Sequence, residues 1–152
     1  MKSNSLGKNV TPTQPPVVAG VAANAAVAYT ENGAGVAVGP AVVVTDADHA
    51  SLQSATVTIS ENYEPADVLA LTGSHAPIVQ ASYSGGVLTL TGPASPSAYQ
   101  AALRAVKYSS TSEDPGTAAR KVQLVANDSC DTSPAGAAGS VASVAVVKVN
   151  DP

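Results

Sequence analysis

The stretch "SATVTIS", Ser54 to Ser60, sets the fold class. Ala55, Val57 and Ile59 fall on one side of an extended segment and Thr56, Thr58 and Ser60 on the other, because side chains alternate at period two along a strand. Such a strand is half buried. Working outward, the same pattern returns in segments of strand length separated by Gly, Pro, Asn and Asp. "AAVAYT" (25–30) stops at "ENGAG", and "VAVGPAVVVT" (36–45) stops at "DADHA". "ASYSGGVLTLTG" (81–92) reads as a hairpin about Ser84-Gly85-Gly86, since glycine tolerates positive φ. "AVKYSS" (105–110), "RKVQLVAN" (120–127) and "GSVASVAVVKVN" (139–150) follow, with Val122, Leu124 and Ala126 expected inward and Lys121 and Gln123 outward. One short helix interrupts the series near 96–104. Ser95 can cap it, Pro96 suits its first turn, and Tyr99, Ala102, Leu103 and Val106 share a face. With turn signals every ten to fifteen residues or so, the chain predicts an all-β fold, a Greek-key β-sandwich of about seven strands.

Composition agrees. The 152 residues suffice for one domain with a core, and the chain has no Phe or Trp, so Val, Leu, Ile, Ala and a few Tyr must build it. Residues 1–16, ending "TPTQPP", read as a Pro-rich extended arm or linker, and 17–152 as the folded domain. A net charge of −4 with scattered basic residues argues against a nucleic-acid partner. No apolar run reaches the roughly 18–20 residues of a membrane span. "MKSNSLGKNV" lacks the apolar region of a secretory signal. Cys130 is the only cysteine, so an internal disulfide is excluded.

The acids sit at strand ends and in loops. Asp46 and Asp48 lie two apart on an extended segment and point the same way, which brings like charges together. Two readings are open: Asx turns that end a strand, or a cation site. Calcium is the natural ion, taking roughly six to eight oxygens in flexible geometry.

Five segments carry a resemblance: "YTENGAGVAV", "VVVTDADHASLQSATVTIS", "GGVLTLTGPASPSAYQAALRAVKYSSTSEDP", "VQLVANDS" and "VKVNDP". In order and spacing they resemble the cadherin-like repeats found in tandem in large bacterial surface and adhesin proteins, over residues 17–152. The resemblance implies a seven-stranded cadherin/immunoglobulin-like sandwich, outside the cell or on its surface, with calcium at junctions between neighbouring repeat domains. It also divides the acids between two ends. Glu31, Glu113 or Asp114, and Asn150 with Asp151 are similar to the cluster facing a following domain; Asp46, Asp48 and Asp128 are similar to the one facing a preceding domain. One departure is the linker "NVTPTQPP", where the family usually has an acid and this chain offers only Asn9.

The expected function is a non-catalytic structural or adhesion module, making contacts with its own kind or with other surface proteins. Two alternatives are a carbohydrate- or protein-binding module and a filament subunit that donates its N-terminal arm as a strand. Catalysis has little to stand on. His49 and His75 are the only imidazoles, no GxSxG is present, and Glu61, Glu64 and Asp67 around Tyr63 read as a solvated acidic loop.

Overall fold

A computed structural model of the chain describes residues 16–21, 27–46, 51–112, 115–128 and 140–148. It is mostly β, with one short helix. In chain order the strands are β1 (Val17–Ala19), β2 (Val27–Thr30), β3 (Val36–Ala37), β4 (Val43–Thr45), β5 (Leu52–Glu61), β6 (Asp67–Leu71), β7 (Val79–Ser84) and β8 (Val87–Ala94). Helix α1 (Pro96–Arg104) precedes β9 (Val106–Ser110), β10 (Arg120–Asn127) and β11 (Val141–Val147). They form a six-stranded sheet ordered β2-β11-β10-β5-β8-β7, a three-stranded sheet ordered β3-β9-β6, and the pair β1-β4. All neighbours run antiparallel except β2 and β11, which run parallel.

β5 holds the predicted alternation: Ala55, Val57 and Ile59 are buried, and Thr56, Thr58 and Ser60 face away. It pairs with β8 on one side and β10 on the other, placing Val57 between Leu88 and Leu124. Val122, Leu124 and Ala126 point inward as expected. The hairpin turns at Gly85 and Gly86, both at positive φ. In α1, the Ser95 hydroxyl accepts the Ala98 N–H at 3.1 Å, and Tyr99, Ala102 and Leu103 are buried. The inward faces of the six- and three-stranded sheets and of α1 meet in one core, where the Tyr29 and Tyr108 rings touch edge to face at 5.3 Å.

Eleven strands among the described residues exceed the expected seven or so. The run 36–45 is not one strand: "GPA" at 39–41 turns the chain, so β3 joins the three-stranded sheet and β4 pairs with β1. β6, "DVLAL", has an apolar run too short to distinguish strand from helix by period. α1 also covers an edge that would otherwise lie open. Gln100 accepts from the Val44 N–H at 3.1 Å and Arg104 Nε donates to the Val42 carbonyl at 2.8 Å, so helix side chains serve the main chain around β4. Pro16, expected to end the arm, is buried at the start of β1; residues 1–15 lie outside the described residues.

Candidate functional site

Strand direction sorts the candidate acids between two ends of the six-stranded sheet. β2 and β11 run parallel and finish together, and Glu31 follows β2 there, its N–H donating to the Val147 carbonyl at 2.8 Å. β10 runs antiparallel to β11, so Asp128, just past Asn127, lies at the opposite end. Asn127 pairs with Ser54 near the start of β5, and Leu52 pairs with Ala94 just before α1, so α1 shares that end. Asp46 follows β4, which is held to α1 through Gln100, and belongs there too.

These carboxylates are withdrawn from water. Glu31 and Asp128 are each 2% exposed, Asp46 is half-buried, and one oxygen of each (Glu31 Oε2, Asp46 Oδ2, Asp128 Oδ2) is shielded from solvent. Asp48, Glu113, Asp114, Asn150 and Asp151 lie outside the described residues. Among the described residues no three His, Cys, Asp or Glu side chains converge on a point where a metal could sit. What is present at each end fits a hard cation in kind: the donors are carboxylate oxygens, which calcium takes and softer metals do not prefer.

A second charged cluster lies between the sheets, unforeseen in the sequence. Asp67 opens β6 at 1% exposure and Arg120 opens β10 at 0%, so the acidic run around Tyr63 is not a solvated loop throughout. The reason is Arg120. Its Nε donates to Asp67 Oδ2 at 2.9 Å and its Nη2 to Asp67 Oδ1 at 3.2 Å, a two-pronged match between guanidinium and carboxylate. Asp67 Oδ1 also accepts from Tyr108 Oη at 2.6 Å, and Oδ2 from the Glu64 N–H at 2.9 Å. Arg120 Nη1 holds the Gly116 and Ala118 carbonyls at 2.9 and 2.6 Å, and Nη2 lies 3.3 Å from Glu64 Oε1. Glu64 Oε1 accepts the Gly116 N–H at 3.1 Å, and Tyr83 Oη donates to the Asp67 carbonyl at 2.5 Å. This network ties the 62–67 and 115–120 segments to both sheets. No periodicity signals a contact across 53 positions.

Burial shapes the titration of this region. Tyr83 is pushed up to about 12 by burial, then by the negative charges of Tyr63 and Asp67, and Tyr99 is pushed up to about 12 by burial. Tyr108 is raised further by burial and by its hydrogen bond to Asp67. Burial opposes the Arg120 charge, but Asp67, Tyr108 and Glu64 together outweigh it and hold its pKa above the usual value. Phenols raised above 10 keep their protons longer in the folded state than in the unfolded one. Their contribution to stability is therefore fully present below pH 10 and is lost as pH rises towards 12 and beyond. Thermal midpoints should decline above pH 10, and ultraviolet absorbance should show phenolate from these three tyrosines appearing together with unfolding. Ordinary titration of Tyr83, Tyr99 and Tyr108 near 10 in the folded protein would contradict this.

The remaining candidates are quiet. His75 Nε2 lies 2.9 Å from the Thr72 carbonyl and borders an open depression of about 330 Å³ lined also by Leu71, Ile78, Val79 and Gln80, with no carboxylate and no tyrosine in its lining. Tyr63 is exposed as expected, its ring against Gly86. His49 and Cys130 lie outside the described residues, and no described helix is long and apolar enough to cross a membrane. The chain matches no protein-family model, no curated protein and no solved structure.

Proposed function

We propose that this chain is a non-catalytic structural module of the cadherin-like kind, a Greek-key sandwich that works outside the cell or on its surface and is coupled end to end with neighbouring copies by calcium. The observation that carries the reading is the pair of solvent-shielded carboxylates at opposite ends of one sheet, Glu31 at one and Asp128 at the other. Carboxylate oxygens are the ligands a divalent ion such as calcium takes, and an ion shared with the next domain draws on such groups from both sides. Strand direction supports it as well. Because β2 and β11 run parallel, the chain enters the sheet at one end and leaves at the other, the path a linear string of domains requires. The sheets facing one core are consistent with a sandwich.

In this mechanism the ion binds only where both domains present their donors, so binding and ordering of the junction stabilise one another by mass action. Glu31, with Glu113 or Asp114 and with Asn150 and Asp151, serves one junction; Asp46, Asp48 and Asp128 serve the other. Calorimetric titration with calcium should show weak binding to the single chain, roughly millimolar as in extracellular modules. A two-copy tandem should bind at least about tenfold more tightly and melt higher in calcium than in EGTA. Equal, negligible binding by both proteins would refute the proposal.

A further inference from the structure

β7 differs from the other long strands. Val79, Gln80, Ala81, Ser82 and Ser84 are all exposed, Val79 at 53%, and only Tyr83 is half-buried. It closes the six-stranded sheet, and among the described residues no strand lies on its outer side. Its links to the other sheet run through side chains: Gln80 Oε1 accepts from the Leu71 N–H at 3.0 Å, and Tyr83 reaches the Asp67 carbonyl. An open strand edge is a template for pairing, which proteins ordinarily block with Lys, Pro, a β-bulge, an inward charge or a covering element. The β4 edge has its cover in α1, through Gln100 and Arg104. β7 has one such device, a bulge between Gln80 and Ser82, and neither Pro nor charge.

Charge decides what fits there. From Val68 to Leu103 the chain contains no Asp, Glu, Lys or Arg, although the whole carries a net charge of −4. Two copies meeting at either end of the sheet bring carboxylates together; two copies meeting at β7 do not. We propose that β7 is a self-association edge, at which two copies of this chain pair β7 against β7 in antiparallel fashion and extend the sheet across a twofold axis. Such a contact uses the same strand twice and closes at two copies. It joins molecules side by side, goes beyond end-to-end coupling, and requires no calcium.

Sedimentation equilibrium in EGTA and reductant, which removes calcium and any Cys130 disulfide, should show a monomer–dimer equilibrium at high protein concentration. Hydrogen exchange should slow at residues 79–84 as the dimer fills. Ser82→Lys sets two ammonium groups beside the twofold axis and should raise the dissociation constant at least about tenfold, leaving the thermal midpoint of this exposed position unchanged. A wild-type protein that stays monomeric at millimolar concentration overturns the proposal. A dimer equally strong in Ser82→Lys also overturns it and moves the contact elsewhere, whether to the 1–15 segment or to a sheet face.

Discussion

Arg120→Met is expected to lower the unfolding free energy by about 3–5 kcal/mol, the loss typical when one partner of a buried ion pair is removed. Arg120 is wholly buried, and its guanidinium joins Asp67 to the Gly116 and Ala118 carbonyls between the sheets. Methionine fills similar volume but donates nothing. Asp67 keeps Tyr108 and the Glu64 N–H as donors but loses the guanidinium that balances its charge, and the Gly116 and Ala118 carbonyls lose their donor. Against a total stability of about 5–15 kcal/mol for an ordinary domain, this removes a large part. Urea denaturation measures it. The double variant Asp67→Leu with Arg120→Met should lose less than the sum of the two single variants, because removing both charges leaves neither stranded. A cost below about 1 kcal/mol for Arg120→Met alone would show that the pair merely fills space.

Gly92→Ala should cost about 3 kcal/mol or more, combining backbone strain with overpacking. Gly92 adopts φ +128° within β8, a conformation that L side chains rarely take, and a Cβ there would collide with the Pro77 carbonyl oxygen and lie 3.1 Å from Ile78 Cα. Both obstacles are main chain. Gly92 cannot readily retreat, because its own carbonyl accepts from Tyr99 Oη at 2.6 Å and ties β8 to α1. Gly85 offers the control. It has φ +58° at the hairpin tip, and a methyl group there would meet nothing within 4 Å, so Gly85→Ala should cost only the left-handed backbone penalty of roughly 1–2 kcal/mol. Thermal melts of the two variants side by side test the difference, and equal losses would show that the approach to Pro77 is not tight.

The hairpin at Gly85-Gly86, the Ser95 cap and the inward faces of β5 and β10 follow from neighbours within a few residues, so their signals are periodicity and turn chemistry. Sheet membership does not. Val36 and Val43 read as one run, yet the turn at 39–41 sends them to different sheets, a choice made by Tyr108 as the partner of Val36 and by Ala19 as the partner of Val43. Glu31, Asp46 and Asp128 are legible in the sequence as acids at strand ends. Their burial is not, because it depends on what the other strands place over them.

Alternation in "SATVTIS" and "RKVQLVAN", and the cap and face of α1, are properties of stretches shorter than about twelve residues, and the chain alone is enough to establish a β-rich domain with one helix. Asp67 reads as one more loop acid. Its burial depends on Arg120, 53 positions away, and on Tyr108 from a third strand. The parallel course of β2 and β11 and the place of β7 as the last described strand of its sheet are likewise relations between distant segments. Local pattern selects which face of a strand turns inward; which strands meet, and which charges are thereby taken out of water, depends on long-range packing that no short window of sequence contains.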